Sequence, residues 1–156
     1  MGRDLGPALP RELVDYLRAA PPAAKFLNAF VLTTVDADGV PRHALLSAHE
    51  VVAKDAGALL ILLRPQSRSA DNARSGRALS LLIVVPETSH AIAGVAEERA
   101  ALDEAPGEAL FDVRVVNVRE DRLATARITS GITFDGGDPG ETAESRHRAF
   151  KKLLEL

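Results

Sequence analysis

Two short aliphatic runs, Leu59–Leu63 and Leu79–Val85, constrain this chain more than any other feature. Each is too short for a helix of ordinary length and nearly continuous in apolar residues, so both read as strands buried on two faces. Between them, Arg64-Pro65-Gln66-Ser67-Arg68-Ser69 leads into a short helix expected to end near Gly76. Ser67 or Ser69 is its natural N-cap. A helix start offers free backbone N–H groups and the positive end of the dipole. With two guanidiniums and two hydroxyls beside it, the segment suits a phosphate.

A chain of 156 residues holds one domain with a full core, so 1–156 is read as a single domain. Residues 1–22 form a helical N-terminal segment of it and 141–156 a C-terminal helix. Charges of both signs are mixed, with a net charge of −3. No basic run, zinc-ligand spacing or supply of aromatics points to nucleic acid. The absence of cysteine excludes a disulfide scaffold, a thiol nucleophile and cysteine-ligated metals. Met1–Pro10 lacks the apolar segment of a signal peptide and no apolar run could span a membrane, so a cytoplasmic location is expected. With no tryptophan and one tyrosine, the core must rest on Leu, Val, Ile and Ala.

Pro10 followed by Arg11–Arg18 predicts an opening helix with Leu13, Tyr16 and Leu17 on one face, stopped by Pro21-Pro22. Phe30–Val35 and the turn chemistry of Asp36-Ala37-Asp38-Gly39 predict a hairpin. Its second strand is expected to be long, over Val40–Lys54, straight or bent, with Asp55-Ala56-Gly57 turning into the third. Leu79–Val85 follows the short helix and ends at Pro86. Ala91–Ala101 and Ala109–Val118 read as an antiparallel pair, and alternation in Phe111–Val115 gives one wet face. Thr125–Phe134 is a weaker strand and Asp135–Gly140 a breaker. From Glu141 the tail reads as an amphipathic helix with Ala143, His147, Phe150 and Leu154 on its stripe. Six or seven strands with two or three helices predict a mainly β chain, a small antiparallel barrel.

The same residues resemble the FMN-binding split barrels, the superfamily that includes the pyridoxamine 5'-phosphate oxidases. There an Arg, then a Ser-Arg-Lys-like triplet opening a helix, holds the flavin phosphate. Arg64 and Ser67-Arg68 match that pattern, and Ser69 stands where the lysine is expected. The likeness runs in order from Phe30 to Val118, with TTVDADGVPRHALLSAHEVV similar to the first hairpin of such proteins. It implies an antiparallel split β-barrel that forms a homodimer, with FMN or a deazaflavin across the subunit interface. Arg64, Ser67, Arg68 and Ser69 would anchor the phosphate, and Leu45, Leu46 and Ser47 would face the ring. It further implies an oxidoreductase that passes hydride from the flavin to a small substrate. The alternative is a non-catalytic flavin carrier or a cofactor-free dimeric scaffold, which the serine in place of lysine favours. The chain ends in RHRAFKKLLEL and not in an Arg- and aromatic-rich segment closing on proline, so oxidation of pyridoxamine phosphate is not expected.

No acid–base or nucleophile constellation stands out, and no catalytic residue is assigned. Ser47 lacks the G-x-S-x-G elbow of a hydrolase nucleophile. His43 and His49 would share one face of a regular second strand, too few ligands for a metal. His90 and His147 read as structural or exposed, Arg74 and Arg77 as surface residues. Glu97-Glu98-Arg99 reads as a solvated strand edge, Asp103-Glu104 as an acidic turn, and Thr129-Ser130-Gly131 as a turn before a strand.

Overall fold

The computed structural model describes residues 2–19, 28–134 and 141–156, with the side chains of 141–143 excepted. Pro21-Pro22 and the breaker over 135–140 lie outside the described residues. β2 (Asn28–Val35) and β3 (Pro41–Ser47) form the expected hairpin. Gly39 supplies the left-handed residue of its turn at φ +86°, and its N–H donates to the Asp36 carbonyl at 2.9 Å.

The long strand expected over Val40–Lys54 is broken in two. β3 stops at Ser47 and β4 (Val51–Asp55) begins after a tight corner. There the Ser47 N–H donates to Glu50 Oε2 at 2.6 Å, and the Glu50 N–H returns to the Ser47 carbonyl at 3.0 Å. The Glu50 carbonyl accepts from the Leu62 N–H at 2.9 Å, pinning the corner to β5 (Ala58–Leu63). β6 (Leu79–Val85), β7 (Thr88–Arg99) and β8 (Ala109–Asp121) complete an antiparallel path in the order β3-β2-β6-β7-β8-β5-β4. β3 and β4 therefore lie at opposite ends of the path yet are joined by three residues, which rolls the sheet into a barrel. Among the described residues no ladder joins β3 to β4, so the barrel is split.

Two short strands extend this frame. β1 (Gly2–Gly6) stands where the helical segment expected over 1–22 would begin, and it pairs with the end of β8. β9 (Ile132–Thr133), all that forms of the strand expected over Thr125–Phe134, pairs with the start of β2. A bulge at Ala93/Gly94 lets β7 and β8 bend, and a Cβ on Gly94 would meet Val113 Cγ1 at 2.6 Å and the Arg114 carbonyl at 2.8 Å. Glycine is required there by the closeness of β8.

Phe30, Leu32, Leu59, Ile61, Leu81 and Phe111 fill the barrel. α1 (Arg11–Arg18) and α2 (Arg68–Arg74) close its two ends, sending Leu13 and Leu17, and Ala70 and Ala73, into the same core. α1 lies by the start of β2, where Asn28 Nδ2 donates to the Tyr16 hydroxyl at 3.2 Å. α2 lies by its end, next to Asp36.

α3 (Glu141–Glu155) covers the outside of the barrel instead. Its buried stripe is Ala149, Phe150 and Leu153, packed on Val52, Leu60, Leu62 and Leu110. The expected stripe is therefore rotated: Phe150 holds its place, while His147 and Leu154 are half-buried at the edge. Arg18 ties the three parts together, donating to the Ala53 carbonyl at 2.8 Å and the Leu154 carbonyl at 3.3 Å. β5 is thus buried on both faces, as expected. β6 is not: Leu79, Leu81 and Ile83 point inward, while Ser80, Leu82 and Val84 remain half-exposed.

Candidate functional site

α2 starts where the sequence places it. The Ser67 Oγ accepts the Ala70 N–H at 3.1 Å and donates to the Arg64 carbonyl at 2.7 Å. That hydroxyl is spent as a cap, so it shapes the corner and is not a spare donor. Ser69 sits half-buried on the first turn. Arg68 reaches out with 64% of its side chain exposed and gives one hydrogen bond, from Nη1 to Asp36 Oδ2 at 3.1 Å.

Asp36 is the hub of this corner. It is buried at the end of β2 and also accepts from Arg42 Nε at 2.7 Å and from Asn72 Nδ2 at 2.9 Å. Asn72 Nδ2 makes a second bond, to Thr34 Oγ1 at 3.1 Å. The Asn72 bond, followed by that from Arg42, holds the Asp36 carboxyl down to about 2, and the same pairing raises Arg42. Neither Asp36 nor Asn72 is singled out by the sequence. The available signals were an Asp that doubled as turn chemistry and an Asn within a helix, where it is a poor helix former.

Arg64 and Arg68, expected on one phosphate, border two different hollows. Arg68 lies with Asp36, Asp38, Asn72 and Arg77 in an open depression. Arg64 lines a cavity of about 270 Å³ under α3 with His49, Glu50, Glu108 and Arg146. His49 packs edge-on against Phe150 with ring centroids 6.2 Å apart. Burial, then the nearby Arg146 and His147, pushes His49 down to about 4. Burial, then Glu50, pushes Glu108 up. The corner at 48–50 also separates the two histidines expected on one face: His49 is buried, while His43 is exposed with Nδ1 3.0 Å from Thr33 Oγ1.

β3 forms an open edge of the sheet. Leu45 is 51% exposed and Ser47 half-buried, whereas Leu46 points into the core, so only its backbone faces outward. Arg74 is engaged, with Nε and Nη2 on the Glu98 carboxylate at 2.6 and 3.0 Å. Arg77 Nε donates to the Val35 carbonyl at 2.9 Å. Among the described residues no group of His, Asp and Glu is close enough to hold a metal ion.

No family model and no curated protein matches the chain. Solved structures do. A candidate pyridoxamine 5'-phosphate oxidase from Lactobacillus delbrueckii superposes with a TM-score of 0.60 at 20% identity, over 74% of this chain and 98% of that one. HupZ from Group A Streptococcus superposes with a TM-score of 0.54 at 12% identity, over 81% of this chain and 100% of that one. The chain has the split-barrel fold. The split barrel accounts for the broken second strand, because the corner at 48–50 carries the chain across the split. It also brings the start of the exposed edge β3 beside the start of α2, with Asp36 linking Arg42 of the one to Arg68 of the other.

Proposed function

We propose that this protein is a homodimer that binds a flavin, FMN or a deazaflavin, at the rim of its subunit interface and uses it to oxidise or reduce a small substrate. The observation that carries this reading is the outer face of β6. Leu79–Val85 has the composition of a strand covered on both sides, and one subunit covers only one. In register across the sheet, Leu45, Val31, Leu82 and Ala91 form one row, and His43, Thr33, Ser80 and Ala93 the next. Among the described residues no helix covers these rows: α1 and α3 pack on β4, and α2 enters the barrel mouth, where Asn72 meets the inward Thr34. A second copy of the chain would bury this face.

The rim of that face carries donors suited to a flavin phosphate. Arg68 spends one hydrogen bond on Asp36, and a guanidinium has five N–H donors to give. Ser69 stands beside it on the first turn of α2, and the exposed Arg64, which opens on the cavity under α3, leads into that turn. Ser67 fixes the turn they stand on. The edge backbone of β3 and the side chain of Leu45 offer a flat support for the ring, which when bound supplies hydride-transfer chemistry. The residues of this chain then orient and shield the ring, and the likeness in fold to a candidate oxidase supports that role. The Asp36–Arg68 pair favours a second reading, a dimeric scaffold without cofactor, because it already neutralises one guanidinium.

A visible spectrum after adding FMN and desalting, repeated with a deazaflavin, decides between them. Retained flavin with a shifted spectrum is expected, weakened about ten- to hundredfold in Arg64→Gln or Arg68→Gln, since a charge-assisted hydrogen bond contributes about 1.5–3 kcal/mol. Retention of neither cofactor would leave the scaffold.

A further inference from the structure

The end of the barrel closed by α1 has a polar cluster of its own. His90 and Glu120 face each other across the β7–β8 ladder, on the inward side that elsewhere carries Ile92 and Val118. They are 6% and 7% exposed. His90 Nε2 lies 3.2 Å from Glu120 Oε2, and Glu120 Oε1 accepts from Arg3 Nη2 at 3.1 Å and Arg122 Nε at 3.3 Å. An ionised carboxylate only accepts, so in the neutral imidazole this contact puts the proton on Nε2 and Nδ1 is the acceptor. Nδ1 is buried and has no hydrogen-bond partner among the described residues. An acceptor left unmade inside a protein is costly, and such atoms call for a ligand or a water.

The His90 side chain also lines a cavity of about 220 Å³. Leu13, Tyr16 and Val85 form an apolar wall, and Thr88, His90 and Glu120 a polar one. An apolar cavity of roughly 150 Å³ already accommodates benzene. The larger volume here suits a small bicyclic or branched molecule. We propose that this cavity binds a small, mainly apolar molecule with one N–H or O–H donor, which His90 Nδ1 accepts. The site is separate from the corner assigned to the flavin, at the other end of β2.

Tyr16 is the only tyrosine and there is no tryptophan, so its ring resonances report on the cavity without overlap. The test is an NMR titration of the whole chain, without flavin, using indole and cyclohexanol as probes and N-methylindole as the control that lacks the donor. Saturable shifts of Tyr16 and His90 are expected with submillimolar affinity for indole, and N-methylindole should bind about tenfold more weakly. His90→Leu should erase that preference, and Val85→Phe should fill the cavity and abolish binding. Equal affinity for indole and N-methylindole in the unaltered protein would overturn the role of His90. Absence of saturable shifts with both donor probes would overturn the site, leaving Nδ1 to water. If His90→Leu fails to fold, the two indoles on the unaltered protein still decide. Because no flavin is present, failure here leaves the flavin reading untouched.

Discussion

Leu59–Leu63 and Leu79–Val85 are nearly interchangeable as sequence, and the molecule treats them differently. β5 is covered inside by the barrel core and outside by Phe150 and Leu153 of α3. β6 is covered inside only, and its outer residues Ser80, Leu82 and Val84 stay half-exposed. The apolarity of a strand reflects how it is covered in the assembled state. For β5 both covers come from its own chain. For β6 the described residues supply only the inner cover, and the proposed dimer would supply the second from a copy of the same face.

The contrast can be broken from either side. Removing the cover of β5 should have the largest effect: Phe150→Ala should cost about 3–5 kcal/mol of unfolding free energy in a urea titration, as for other buried aromatics cut to alanine. Leu82→Glu on β6 should leave the subunit folded by circular dichroism and weaken self-association by about a hundredfold, read by sedimentation velocity. If it lowered stability as Phe150→Ala does while leaving the mass unchanged, β6 would be core and not interface.

The link between the two runs gives a smaller effect. Asn72→Ala removes the bonds to Thr34 and Asp36 and should cost about 2 kcal/mol by the same titration. A pH dependence is confined to the α3 side and develops fully only near pH 4. His49 under α3 is held neutral, with its folded value at about 4 against an ordinary 6.5. As pH falls below 6.5 the unfolded chain takes up a proton that the folded one refuses. That contribution is complete above 6.5 and is lost progressively down to about 4. His49→Leu should flatten this slope. Asp36 has the same sign of linkage in a lower window, because its folded value is also depressed: its contribution is present above the ordinary carboxylate range and is lost as pH falls from there through about 2.

Much of this architecture was legible because the signals are local. The Asp36–Gly39 turn, the Ser67 cap and the limits of β6 all follow from residues within a few positions of one another. Where the deciding partner is distant, the reading failed. The corner at 48–50 depends on Glu50 bonding to Ser47 and Leu62, and nothing in HALLSAHEVV marks a break. β1 has no apolar alternation because it is an exposed edge strand, held by ladder bonds to β8. The stripe of α3 is set by what Val52, Leu60 and Leu62 present to it. At the candidate site, Arg68 read as a free donor because Asp36 is remote in sequence. Leu46 read as ring-facing although the pairing of β3 with β2 turns it inward opposite Phe30.

Sedimentation equilibrium followed at the visible absorbance of FMN tests the central claim most directly, because it reports the mass of whatever carries the flavin. The flavin should distribute with a species of two chains, and Leu82→Glu should release it as the dimer parts. Flavin that stays unbound, or that sediments with a single chain, would contradict a cofactor site at the rim of a dimer.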